Sequence, residues 1–135
     1  MDGVILTPLK QIYNPKGDIF HAMKKSDENF VEFGEAYFST IKRGMIKGWK
    51  RHSEMILNII VISGEIDFVV YDEDSKDFYN VRLSRDNYQR LTIDPGLWMA
   101  FRGLTEENML LNIANIEHNL SEATNKDLSK ISYEW

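Results

Sequence analysis

The chain has 135 residues, 43% of them apolar and 27% charged, with a formal net charge of −5 at pH 7; this is the balance of one globular domain that can bury roughly two-thirds of its unfolded surface. The negative charge excludes a general nucleic-acid binder, which needs a basic face, and no apolar run approaches the roughly 18 residues of a membrane span. Cysteine is absent, which excludes disulfides and thiolate ligands and agrees with a cytoplasmic location, and the opening MDGVILTPLKQIYNPKGD lacks the basic-then-apolar order of a secretory signal.

Residues 1–29 read as leader strands and loops, with Pro8 and Pro15 breaking regularity. Part of this leader is expected to pack on a second subunit, because a small sandwich often covers an exposed edge in that way. EAYFSTIK, at 35–42, alternates as a strand. A polar run holding Lys47, Lys50, Arg51 and His52 follows Gly44, and then MILNIIVI at 55–62 suits a strand buried on both faces. Ser63 and Gly64 come next, and EIDFVVYD at 65–72 places Ile66, Phe68 and Val70 on one face. The pair reads as a hairpin closed through Gly64. Polar turns at 72–77 and 84–87 flank a strand at 78–84, and a further strand covers 88–94. Asp94-Pro95-Gly96 is a turn signature, since Pro fixes φ and Gly tolerates positive φ. Strands at 97–103 and 109–116 complete the series, and the tail has room for one helical turn with Ser121 as N-cap. Short strands at roughly 8–12-residue spacing, broken by turn residues, indicate an all-β sandwich or jelly roll.

Lys50 and His52 stand at i and i+2, so on a strand they share a face while Arg51 takes the other. The residues alone leave three readings of this run open: an active site, the remnant of a metal site, or a solvated strand edge. Trp49 and Trp98 read as core or interface aromatics, and Tyr71, Tyr79 and Tyr88 suit half-buried strands. His21 and His118 read as surface residues. Tyr13 and Phe20 are leader aromatics of a type that stacks on bases.

The spacing resembles the cupin, or double-stranded β-helix, pattern. That pattern runs glycine, five residues, His-x-His, a glutamate about four residues on, and a glycine six beyond. Here Gly44, Lys50-Arg51-His52, Leu57 and Gly64 occupy those positions. The second cupin motif, Pro-x-Gly-x-x-His, falls on DPGLWM, with Asp94 and Met99 at its ends. Over roughly residues 33–116 the chain is similar to the dTDP-4-dehydrorhamnose 3,5-epimerase-like branch of sugar-nucleotide epimerases and isomerases. KGWK at 47–50, SGE at 63–65 and NYQRLTIDPGLWMAF at 87–101 carry that likeness.

The resemblance implies a metal-independent proton transfer beside a keto group of a nucleotide-linked keto-deoxy sugar, in polysaccharide biosynthesis. Such chemistry needs a base, a group that stabilises an enolate, and an acid. Lys50 stands where the family keeps its base, and His52 is the surviving member of the His-x-His pair; these two are the catalytic candidates. Asn112 stands where the family keeps an acidic tyrosine. Lys47 takes the place of an arginine that contacts the diphosphate, with Arg43 near it, and the other reading of both is a solvated strand edge. Glu35 and Tyr37 fall at positions that touch the nucleotide, and with Lys47, Arg43, Asn112 and Met99 they make up the expected substrate-binding set. Lys50, Leu57 and Met99 replace three cupin ligands, so no metal and no other cofactor is expected. The expected architecture is a single cupin domain over 1–135: leader 1–29, jelly roll 30–118, short irregular tail 119–135. The expected assembly is a homodimer with a nucleotide-diphosphate sugar as ligand. The alternative function is a catalytically inactive cupin that binds a sugar nucleotide or a partner protein.

Overall fold

The alternating and β-branched runs form strands throughout residues 1–135, all of which the computed structural model describes. In chain order these are β1 (Val4–Pro8), β2 (Gln11–Ile12), β3 (Ile19–Phe20), β4 (Glu35–Lys42), β5 (Ile46–His52) and β6 (Leu57–Ser63). They continue with β7 (Ile66–Asp72), β8 (Asp77–Leu83), β9 (Gln89–Ile93), β10 (Trp98–Gly103), β11 (Glu107–Ala114) and β12 (Ala123–Asn125). Helix is limited to two short 3₁₀ turns, Leu120–Glu122 and Leu128–Lys130, and no helix is long and apolar enough to cross a membrane. Two antiparallel five-stranded sheets face each other, ordered β1-β9-β6-β11-β4 and β12-β5-β10-β7-β8. The all-β jelly-roll expectation is met.

Leu57, Ile59 and Val61 of β6, Leu91 and Ile93 of β9, and Phe68 and Val70 of β7 meet between the sheets with Phe101 and Leu110. Each such side chain contributes about 1.5–3 kcal/mol through burial. A second apolar cluster lies on the outer face of the second sheet, where Ile131, Tyr133 and Trp135 of the tail cover Trp49, Val69, Trp98 and Ala100. Glu73 fastens this cover: its carboxylate accepts from Arg51, Trp98 Nε1 and Lys126, each at 3.2 Å. The leader covers part of the first sheet's outer face. Arg90, 1% exposed, donates to the carbonyl of Ala22 at 2.6 Å and to Asp27 at 3.2 Å.

The hairpin expected at Gly64 is not formed. β6 lies in the first sheet and β7 in the second, so Gly64 is a corner at which the chain changes sheet. A positive-φ glycine serves a corner as well as a hairpin, and φ here is +75°. What selects the corner is the β10–β11 connection packed against it. A Cβ on Gly64 would stand 2.1 Å from the carbonyl oxygen of Glu107. Buried Asn108 then ties the parts together. Its Oδ1 accepts from Glu65 N, Thr105 N and Thr105 Oγ1, and its Nδ2 donates to the carbonyls of Ile41 and Thr105.

The tail departs from expectation as well. It is not merely irregular, because β12 adds a strand to β5. Its first turn is capped by Asn119, whose side chain accepts from Ser121 N, and not by Ser121.

Asn108→Ala strands several buried backbone groups at once and is expected to cost about 2–4 kcal/mol. Urea unfolding measures this as a lower midpoint with an unchanged slope. A cost under about 1 kcal/mol would show that the corner does not depend on this side chain.

Candidate active site

Between the sheets, on the side where β4 and β12 are the edge strands, lies a cavity of about 560 Å³ lined by 16 residues. Its floor is apolar: Met55, Leu57, Ile59, Met99, Phe101 and Leu110. Its walls are polar: inward-facing residues recur at every second position of β4 and over Gly48, Lys50 and His52 of β5, and the register shift between Lys47 and Lys50 adds Lys47 to the lining. Glu35, Tyr37 and Ser39 enter from β4, Lys47, Lys50 and His52 from β5, and Asn112 from β11. Gly48 allows β5 to lie close to β10, since a Cβ there would stand 2.4 Å from that of Ala100.

His52 is 7% exposed and Glu122 4% exposed. His52 Nδ1 and Glu122 Oε1 are 2.5 Å apart. The other carboxylate oxygen accepts from the backbone N–H of Glu54 at 3.0 Å and of Met55 at 2.9 Å. Burial pushes the Glu122 carboxyl up, but the hydrogen bond to His52 and those from Met55 and Glu54 outweigh it, so the pKa lies below the usual carboxylate range. An ionised Glu122 orients Nδ1–H toward itself and leaves Nε2 as the free nitrogen of a cavity-lining imidazole. That is the arrangement of a general base with a positioning carboxylate.

Tyr37 is placed opposite by a second fixed pair. Asn112 Oδ1 accepts from Asn58 N at 2.9 Å, which orients the amide so that Nδ2 donates to the Tyr37 phenol oxygen at 3.1 Å. The phenol proton is left free to donate elsewhere. Burial raises the Tyr37 pKa, the bond from Asn112 opposes this, and the charges of Glu35 and Glu122 add to the rise. The phenol is therefore protonated at neutral pH.

The cavity brings together Glu35, Tyr37, Lys47, Lys50, His52, Met99 and Asn112 of the expected set. Arg43 is not among its lining residues. It sits on the exposed turn after β4, bridged through its backbone to Gly103. The Lys47 ammonium donates to the carbonyl of Thr40 at 2.6 Å, tying β5 to the β4 edge. Glu122 and Asn125 lie in the tail and were not legible as site residues, and His118, read as a surface residue, lines the cavity from its exposed loop. The one signal for Glu122 is a lone carboxylate near a capping Asn119-x-Ser121, which does not by itself point to a histidine 70 residues earlier.

The cupin metal positions do not fit a metal here. Lys50, Leu57 and Met99 offer no imidazole or carboxylate, and one nitrogen of His52 is committed to Glu122.

Fold and site together define a cupin-type β-sandwich with an acid–base cavity. The family described as "FdtA: WxcM-like, C-terminal" matches residues 2–129, and the chain belongs to it. Among solved structures, a dTDP sugar isomerase from Desulfovibrio desulfuricans G20 is 32% identical with a TM-score of 0.93, over 99% of this chain and 91% of that one. The 3,4-ketoisomerase QdtA from Thermoanaerobacterium thermosaccharolyticum, in complex with TDP-4-keto-6-deoxyglucose, is 20% identical with a TM-score of 0.82, over 97% and 93%. The 3,5-epimerase RmlC from Legionella pneumophila, in complex with dTDP-4-keto-L-rhamnose, is 15% identical with a TM-score of 0.86, over 100% and 79%. The last two show likeness of fold. No curated protein matches the sequence significantly. The expected kinship with sugar-nucleotide epimerases and isomerases holds.

Because the Glu122 pKa is lowered in the folded chain, its ionisation contributes stability that is complete above roughly pH 5 and is lost as pH falls through the folded value. Glu122→Gln cannot titrate. It is expected to be less stable than wild type at pH 7, yet to lose less stability between pH 7 and pH 3, as read from urea midpoints. Equal acid sensitivity of the two proteins would overturn the assignment.

Proposed function

We propose that the chain is an isomerase or epimerase acting on a nucleotide-linked keto-deoxy sugar in carbohydrate biosynthesis, by proton transfer that needs no metal. The observation that carries this reading is the pair of fixed groups facing one cavity: His52 backed by Glu122, and Tyr37 held by Asn112. The 32% identical dTDP sugar isomerase supports the substrate class. So do the TDP-bound QdtA and the RmlC complex, as members of the same fold.

In this reading His52 Nε2 removes the proton from the carbon beside the sugar carbonyl. The C–H electron pair moves into the enolate, and the charge collects on the former carbonyl oxygen. Lys50, on the same strand face as His52, supplies a cation to that oxygen, and Tyr37 donates a proton from the opposite wall. A proton returned to the opposite face of the same carbon completes an epimerisation. A proton delivered to the former carbonyl carbon, while the hydroxyl on the first carbon passes its proton to the former carbonyl oxygen, completes a carbonyl shift. Proton exchange with solvent restores His52 and Tyr37. The apolar floor, including Met99 at a former ligand position, keeps water from the enolate. Lys47 has donors beyond the one given to Thr40 and is the β5 residue placed for phosphate, while Glu35 accepts from hydroxyl or base N–H groups. A cytoplasmic location belongs to the proposal, in keeping with a chain without cysteine.

A homodimer is also part of this reading. The outer face of β4 and its approach expose Val31, Phe33 and Phe38, and Ile62 of β6 is also exposed. Exposed apolar area of this kind supports an interface between copies of the chain.

Incubation with TDP-4-keto-6-deoxyglucose in deuterated water, followed by NMR, tests the chemistry. Wild type is expected to exchange the protons beside the carbonyl. His52→Asn is expected to slow exchange by about a thousandfold and Tyr37→Phe by about a hundredfold. Absence of exchange in wild type with TDP binding intact would sink the catalytic reading in favour of a binding protein. For assembly, sedimentation velocity is expected to show a dimer that Phe38→Asp converts to monomer; a wild-type monomer at micromolar concentration would refute the dimer.

A further inference from the structure

The cavity has two walls of opposite character, and that asymmetry orients a ligand. The β4 wall presents Glu35, Tyr37 and Ser39. The facing wall presents Lys47 and Lys50 from β5 and Asn125 from β12, and His118 lines the mouth from the connection that crosses from β11 to β12. A diphosphate offers only acceptors and carries negative charge, so the Glu35 carboxylate turns it away and N–H donors draw it. It also cannot settle on the apolar floor without losing its hydration.

The donors on that wall are not equally free. Arg43 lies outside the cavity, and the Lys47 ammonium already serves the Thr40 carbonyl at 2.6 Å. From residue 118 onward, the side-chain hydrogen bonds are made by Asn119, Ser121, Glu122 and Lys126. The imidazole of His118 and the amide of Asn125 are left with donors unspent at the mouth. Asn125 is the direct register partner of Lys50, so its amide and that ammonium share one level of the cavity.

We propose that His118 and Asn125 form part of the diphosphate subsite of the sugar nucleotide, giving the C-terminal segment a binding role next to its positioning role through Glu122. The inference rests on the sugar-nucleotide reading above. It fixes the direction of the ligand: diphosphate on the β5–β12 side, and the sugar ring spanning inward between His52 and Tyr37.

The test measures binding of TDP and of thymidine, which lacks phosphate, to wild type, His118→Ala and Asn125→Ala. TDP is followed by calorimetry and thymidine by NMR titration. Both sites are exposed, and melting temperatures within about 2 °C of wild type confirm folding. Each variant is expected to weaken TDP about tenfold, the usual worth of a hydrogen bond to a charged group, and to leave thymidine within about twofold. TDP affinities within about twofold of wild type, or equal losses for TDP and thymidine, would overturn the subsite while leaving the sugar-nucleotide reading standing. If wild type binds neither TDP nor UDP, GDP, CDP or ADP, that reading falls and this one with it. His118→Gln supplies the check on His118, since a neutral N–H donor is expected to recover part of the lost TDP affinity; recovery of none would count against a hydrogen-bonding role.

Discussion

The carboxylate of Glu122 is the point on which the site depends. One oxygen meets His52, and the other takes the backbone N–H groups of Glu54 and Met55. Its backbone carbonyl meanwhile accepts from Ser53 N and Ser53 Oγ. A buried carboxylate is costly unless its lone pairs are filled, and here the loop between β5 and β6 fills them. One residue therefore holds that loop, chooses the histidine tautomer and anchors the tail. The tail in turn adds β12 to β5 and lays Ile131, Tyr133 and Trp135 over Trp49 and Trp98. The cover on the outer face of the second sheet and the partner of the imidazole are thus parts of one C-terminal segment.

The same economy suits the metal-free chemistry proposed for this cupin frame. Leu57 and Met99 stand at former ligand positions and now belong to the apolar floor. In that floor each charged group matters more, because the local dielectric is low. In the proposed chemistry Lys50 shares the strand face of His52 and offers only donors, whereas a second imidazole there would offer another base. Charge delivered by fixed side chains needs no reorganisation as an enolate develops.

How much of this is legible in the sequence differs by the range over which each cause acts. Strand positions are legible because period-two alternation and turn residues act within a few neighbours. The wall residues Glu35, Tyr37 and Ser39 of β4 and Lys50 and His52 of β5 are legible for the same reason, once one inward position is known, whereas Lys47 enters through a register shift. Sheet membership at Gly64 is not, because positive φ is shared by hairpins and corners, and the deciding contact comes from Glu107 and Asn108. Glu122 is hidden by a separation of 70 residues. His118 misleads because exposure and lining a cavity mouth are compatible, and Arg43 because nearness in sequence to a strand does not fix the direction of a turn residue. The family likeness supplied spacing, and spacing carries the frame of β5 well but says little about a tail that reaches the site from elsewhere.

Asn112 stands where the resemblance puts an acidic tyrosine, and that looks at first like loss of the acid. The register argues otherwise. Asn112 of β11 and Tyr37 of β4 are direct cross-strand partners, so their Cα atoms are separated by roughly 5 Å. Both face inward, and a tyrosine side chain is longer than that step. A phenol mounted on β4 can therefore reach the region that one on β11 would occupy, at the same level of the sandwich. Asn112 then has a different task. Pinned by Asn58 N, it can only donate to the phenol oxygen, so the hydroxyl proton must point away from it. In the proposed chemistry, an asparagine that cannot act as an acid instead directs one.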